Sequence, residues 1–268
     1  MLQAFIAHIR QQHLFPTGQQ VLLAVSGGID SVVLTHLMHS AGYPFAIAHC
    51  NFHLRPGDCD RDETFVRQLA ATYAVPIHVA QFDTASHAAS HHQSIEQAAR
   101  QLRYEYFEQL RLQHGYAAIL TAHHRDDSTE TFFLNLLRGT GLAGLHGILP
   151  VQGHIVRPLL PFGRSDIEAY AAQHRLTHVE DSTNASLDYL RNQVRHRLLP
   201  LLRELQPAAD HTLQQTILHL QSTERLYQAL LAPLQQQLVQ PMPDGTIYIS
   251  LRTPLPSPLD QNDQPQLR

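Results

Sequence analysis

Residues 21–38 read VLLAVSGGIDSVVLTHLM: an apolar run, two adjacent glycines and a second apolar run. With Gln20 the first run (QVLLAV, 20–25) is short and continuous, the pattern of a strand covered on both faces. The second continues for helical length. Gly27 and Gly28 leave the backbone between them unencumbered, so that consecutive N–H groups can point at an anion. The N-terminus of the following helix adds partial positive charge. Ser26 and Ser31 contribute hydroxyls, Ile29 a first-turn amide, and Asp30 a carboxylate. An acid facing phosphates calls for a cation between them, most simply Mg²⁺ held by Asp30. The stretch therefore predicts a phosphate cradle at the carboxyl edge of a parallel sheet.

Two familiar loops are excluded. A Walker loop needs a lysine after its last glycine, and all 19 basic residues of this chain are arginine. A dinucleotide fingerprint needs G-x-G-x-x-G, whereas these glycines are adjacent and no third follows. A plain strand-to-helix turn capped by Ser26 is the remaining bland alternative.

Outward from the loop the pattern repeats. FAIAHC (45–50), PIHVAQF (76–82) and AAILTAH (117–123) are further strand candidates. Amphipathic helices lie between them, one through Phe65, Val66, Leu69 and Tyr73. Another runs through Ile95, Ala98, Ala99, Leu102, Phe107 and Leu110, opened by the capping-box pair Ser94 and Gln97. This alternation predicts an α/β fold, a Rossmann-like parallel sheet with helices on both faces, over residues 1–186. An all-helical segment follows over residues 187–240. Residues 241–268 begin with the turn signal PMPDG and a short strand-like TIYISL. They end in a proline- and glutamine-rich tail that reads as the start of a further, truncated module.

The bulk composition is that of a globular chain with a substantial core, 43% hydrophobic and 16% charged. A formal charge of −4 means that any nucleic-acid contact must come from local patches. Cys50 and Cys59 form no disulfide framework and fit a reducing cytoplasm, and no apolar run approaches the roughly 18 residues that would cross a membrane. Histidine occurs 20 times, so a histidine pair here carries less weight than usual.

Three more stretches carry chemistry: HCNFHLRPGDCDRDE (49–63), SIEQAARQLRYEYF (94–107) and TAHHRDDSTETFFLNLLRGTGLAGLHGI (121–148). With SGGIDS they resemble the PP-loop ATP pyrophosphatases, and in order and spacing the tRNA(Ile)-lysidine synthetase family. RPLLPFGRSDIEAY (157–170) and EDSTNASLDYLRNQVRHRLLPLL (180–202) continue the match, which spans about residues 15–205.

The resemblance implies that ATP adenylates the wobble cytidine of a tRNA(Ile) with a CAU anticodon. The amine of free L-lysine then displaces AMP. It implies Ser26, Gly27, Gly28, Ile29, Asp30 and Ser31 as the nucleotide-binding loop, and Asp30, Arg100, His123, Asp127 and Glu130 as catalytic residues. Substrate contacts fall on His53, Arg55, Asp127, Glu130, Arg191 and Arg195. ATP and Mg²⁺ are the implied co-substrate and cofactor, the location is cytoplasmic with no membrane partner, and a homodimer is left open.

The residues themselves keep some alternatives open. Asp126 and Glu130, at i and i+4, are expected to share a face of the helix, and Asp126 could equally cap it. HHRDD could be read as metallohydrolase ligands, though no third distant ligand set stands out. Arg100 and Arg103 could be solvated surface arginines. Arg191 and Arg195 could be an RNA phosphate footprint or an idle basic face. A tRNA thiolase of the same class is the nearest rival, but it would have only Cys50 and Cys59 for sulfur chemistry. A catalytically silent binding module would not need acids beside phosphates.

Overall fold

The computed structural model describes residues 1–54, 58–179, 190–241 and 246–249. Helix α1 (Leu2–Gln11) leads into strand β1 (Val21–Ala24), helix α2 (Ile29–Ser40) and strand β2 (Phe45–Asn51). Helix α3 (Asp58–Thr72), strand β3 (Ile77–Gln81), helices α4 (Thr84–Ser90) and α5 (Ile95–His114), and strand β4 (Ile119–Leu120) come next. Helices α6 (Arg125–Arg138) and α7 (Leu142–Leu145), strands β5 (Val151–Gln152) and β6 (Ile155–Val156), and helix α8 (Arg164–Gln173) complete the α/β portion.

The sheet order is β3-β2-β1-β4-β6-β5, parallel throughout except for the β5–β6 hairpin. From β1 the chain builds outward through β2 and β3, then crosses back to place β4 on the other side of β1. The order thus reverses between β1 and β4, and a crevice opens beyond their carboxyl ends. The four strands read from sequence are all present, with β4 trimmed to two residues.

The two sides of β1 follow the period of a strand. Val21, Leu23 and Val25 pack with Phe5, Ile9, Leu34, Leu37, Met38 and Ile167, so α1, α2 and α8 cover one face. Leu22, Ala46, Ala48 and Ile119 pack with Phe107, Leu110 and Tyr116, so α5 covers the other. Leu22 and Leu23 are fully buried. Truncating either to alanine should destabilise the fold by about 2–5 kcal/mol.

Helix α2 is buried along nearly its whole length, Ser31 through Thr35 and then Leu37 and Met38. Val32 and Val33 are indifferent helix formers, so burial rather than propensity holds this helix. Helix α5 carries the expected capping box: Gln97 N donates to Ser94 Oγ at 3.2 Å and Ser94 N to Gln97 Oε1 at 3.0 Å. It ends at Gly115, whose φ of +71° closes the helix in the left-handed region.

Among the described residues beyond 189 the structure is mainly helical, as read: α9 (Leu190–Gln193), a π-turn (Val194–Leu198), α10 (Leu199–Leu205) and α11 (Ala209–Leu238). A small hairpin of β7 (Val239–Pro241) and β8 (Ile247–Ile249) follows. Residues 242–245 of PMPDG and the tail from 250 lie outside the described residues. No helix among the described residues is long and apolar enough to cross a membrane.

Candidate nucleotide and substrate site

The glycine loop sits directly between β1 and α2. Gly27 has φ +96°, a conformation that glycine adopts without strain. Its carbonyl accepts from Val179 N at 3.0 Å, which ties the loop to the segment after α8. Gly28 N donates to Ser26 Oγ at 3.3 Å and Gly27 N to Ser31 Oγ at 3.2 Å, while Ser31 Oγ donates to Gly28 O at 2.8 Å. The amides thus rest on neighbouring hydroxyls. A phosphate oxygen could take these hydroxyls' place, and the first-turn amides of α2 lack intrahelical partners in any case.

Asp30, in that first turn, faces across the crevice. Arg164 Nη1, at the start of α8, lies 3.1 Å from both of its carboxylate oxygens, and His124 Nε2 lies 3.8 Å away. Burial raises the Asp30 carboxyl above the ordinary aspartate range, against the opposing pull of His124 and Arg164.

The segment after β4 supplies the facing wall. Thr121 Oγ1 and His123 Nδ1 are 2.9 Å apart. Burial pushes the His123 ring down to about 4, so it is neutral at physiological pH. His124 precedes α6, its backbone N donating to Asp127 Oδ2 at 3.0 Å. The walls enclose a cavity of about 410 Å³. Its lining includes Ser26, Gly28, Asp30, Ser31, His49, Asn51, Phe52, Arg103, Tyr104, His123 and Asp127. A space of that size suits a nucleotide-sized ligand.

On α6 the acids separate. Asp126 Oδ2 accepts from the backbone N of Arg164 at 2.8 Å and so anchors the start of α8. Asp127 and Glu130 instead turn together towards the helices beyond residue 189. Arg191 bridges them, its Nη2 lying 2.6 Å from Asp127 Oδ1 and its Nε 2.7 Å from Glu130 Oε2. Arg195 holds Glu130 side-on, with Nε to Oε1 at 2.6 Å and Nη2 to Oε2 at 3.1 Å. Although Asp126 and Glu130 are spaced i, i+4, the two acids that share partners are Asp127 and Glu130, at i, i+3, while Asp126 is held by α8.

Burial alone would raise the Asp127 carboxyl, but His124, Arg191 and the amide of His124 outweigh it and hold it below the usual range. Burial alone would likewise lower Arg195, but Glu130 and Asp127 outweigh it and raise it.

The residues of β2, of the stretch after it and of α5 are placed as follows. His49 and Asn51 line the crevice, and His49 Nδ1 lies 2.8 Å from Val25 O. His53, with φ +48°, lines a neighbouring cavity with Phe82 and Asp83 instead. Arg55 lies outside the described residues. Arg100 stacks at 4.9 Å on Tyr104, which lines the crevice, and its charge helps hold the His123 ring down; Arg103, over Phe52 at 5.1 Å, lines the crevice itself.

Sequence reasoning missed Arg164 and His124 as neighbours of Asp30. GRSD after the proline-bounded RPLLPF was a readable helix start, but nothing local shows that its arginine returns to residue 30. Among the described residues no three His, Cys, Asp or Glu side chains converge as metal ligands. Cys50, at the crevice floor, is a free thiol pushed up by burial to about 12.

A reversed-order parallel sheet with a glycine loop, a helix end and an acid at the reversal defines a nucleotide-binding α/β protein of the phosphate-loop class. The family model of the PP-loop domain matches residues 2–202, and the chain belongs to that family.

The chain is 44% identical over 239 residues to a tRNA(Ile)-lysidine synthase of Bacteroides thetaiotaomicron, covering 89% of this chain and 56% of that one. It is 42% identical to a tRNA(Ile)-lysidine synthase of Parabacteroides distasonis, covering 96% and 58%. It thus spans little more than half the length of these curated relatives. Among solved structures, the U34-tRNA thiolase NcsA of Methanococcus maripaludis, with its [4Fe-4S] cluster, superposes with a TM-score of 0.67 at 14% identity. The overlap covers 81% of this chain and 80% of that one, a likeness of fold.

Proposed function

We propose that this protein is an ATP-dependent ligase that adenylates the wobble cytidine of a tRNA(Ile) with a CAU anticodon and joins free L-lysine to it, releasing AMP and pyrophosphate. The observation that carries the reading is the convergence, around one crevice, of the glycine loop, Asp30, His123 and Asp127, with Glu130 buried beside Asp127 under the same arginine. The similarity to lysidine synthases over most of this chain supports it.

Cleavage between the α and β phosphates needs charge stabilised on departing pyrophosphate. The amides of Gly27 and Gly28, which rest on the hydroxyls of Ser31 and Ser26 in the free protein, and the start of α2 would meet that charge once phosphate oxygens take the hydroxyls' place. The residues fit Mg²⁺ carried by nucleotide phosphates: one carboxylate, Asp30, faces the loop, and Mg²⁺ commonly takes one or two carboxylates plus phosphate oxygens. When bound, the ion would neutralise phosphate charge. Arg164 supplies a fixed positive charge at Asp30 in the free protein. His123, neutral at working pH, offers a hydrogen bond without adding charge.

The second step needs an amine held beside the activated base. Asp127 and Glu130 carry the negative charge that binds a lysine ammonium, and a carboxylate can accept its proton as it attacks. Adenylation converts the carbonyl oxygen of the base into AMP, a good leaving group. A sulfur-transfer route would draw on a Cys50 thiol that burial keeps protonated.

The test is incubation with ATP, Mg²⁺, labelled lysine and a tRNA transcript bearing the CAU anticodon. Label in tRNA with stoichiometric AMP is the expected result. AMP release without label, or sulfur uptake from a persulfide donor, would sink this reading.

A further inference from the structure

The acids assigned to lysine are already satisfied in the free protein. Glu130 is 1% exposed, and two guanidinium groups lie against it at 2.6–2.7 Å. The arginines themselves reach solvent, at 42% for Arg191 and 32% for Arg195. The carboxylates are thus the inner partners and the guanidiniums the outer ones. A carboxylate as deep as Glu130 is strongly disfavoured without a cation beside it, so the arginines can withdraw only where another cation replaces them. Guanidinium pairs bidentately with phosphate, which gives RNA the means to draw them off. The segment that carries them joins a single turn of α9 to a π-turn, a break in helical regularity of the kind found at working sites.

We propose that Arg191 and Arg195 are an internal stand-in for the lysine ammonium. RNA phosphate draws them outward, and the acid pair so vacated admits lysine. The proposal rests on the reading that Asp127 and Glu130 take lysine, and it adds an order to binding. Lysine and RNA bind cooperatively, each tightening the other by the same factor.

Equilibrium dialysis of labelled L-lysine against the full chain, with Mg²⁺ and the non-cleavable α,β-methylene ATP, tests it with and without the tRNA transcript. RNA should tighten lysine binding by about tenfold, within the usual range of coupling between two sites. The double variant Arg191→Gln/Arg195→Gln should bind lysine without RNA about as tightly as the parent does with it, and RNA should then add nothing. Arg191→Lys, which keeps the charge, should stay close to the parent.

A folded double variant whose lysine affinity is unchanged or weaker overturns the proposal, leaving the arginines as a structural clamp. Should the double variant unfold, the Nε signals of Arg191 and Arg195 in the nitrogen-15 spectrum of the parent decide: they must shift on adding RNA, and unmoved signals overturn the proposal equally. The reading beneath it fails differently. Lysine binding indifferent to Asp127→Asn removes the acid pair as the lysine site and this proposal with it, whereas binding that needs Asp127 but ignores both arginines removes the stand-in alone.

Discussion

The glycine loop and the acid pair, whose Asp127 lines the same crevice, are built in opposite ways. The loop is local: its hydrogen bonds join residues two to four apart, among Ser26, Gly27, Gly28 and Ser31. The acid pair is assembled at long range, by arginines 61 to 65 residues beyond their partners. A local device keeps its shape whenever its strand and helix form. A long-range one depends on how a later segment sits on the sheet, so it can be rearranged by whatever moves that segment. One end of the crevice is thus fixed and the other adjustable.

This contrast can be broken most directly at Asp30. Asp30→Ala should lower tRNA-dependent AMP release by about 10²–10³-fold, the usual loss when a group facing developing charge is removed. Its effect on folding should be small or favourable, because burial disfavours the charged carboxyl that the substitution deletes. A variant that releases AMP at the parental rate would take the loop assignment with it.

Glu130→Gln should behave the other way round. It leaves two guanidiniums facing a neutral amide, and denaturant titration should show a loss of about 1–3 kcal/mol. The arginines' partial exposure keeps the loss from growing larger. No loss of stability would mean that the acid pair does not hold the segment after residue 189.

Gly27→Ala sharpens the local side. The added Cβ would meet Phe65, Val179 and Val66 only at 3.4–3.6 Å, ordinary contact, so the penalty is backbone strain at φ +96°, about 1–2 kcal/mol. The KM for ATP should rise while lysine binding stays unchanged. An unchanged KM would show that the loop amides do not meet the nucleotide.

The smallest effect is at His123. Its ring should titrate near pH 4 by NMR. With a folded value below the unfolded one, its contribution is fully present above about pH 6.5 and is lost as pH falls towards 4, because the unfolded chain takes up the proton first. A midpoint near 6.5 would place His123 in solvent.

What could be read from the sequence follows the same division. The strands, the capping box of α5 and the cradle of residues 26–31 are written in contiguous letters, because backbone geometry and near-neighbour hydrogen bonds decide them. The PP-loop family was legible from the order of separate motifs. The acids Asp127 and Glu130 were legible only from the resemblance: helical spacing alone puts Asp126 with Glu130, whereas tertiary contacts send Asp126 to the amide of Arg164 and draw Asp127 to Arg191. That Arg103 lines the crevice while Arg100 lies over its Tyr104 wall is decided by how α5 packs against Phe52, and spacing cannot show that.

The all-arginine composition has a chemical consequence at Asp127 and Glu130. A primary amine parked on those acids would be a nucleophile tethered beside any activated carbonyl that entered the crevice, and the protein could couple to itself. A guanidinium stays protonated across the accessible pH range, and Glu130 raises Arg195 further still. The cation that guards this pocket is therefore one that cannot react in it.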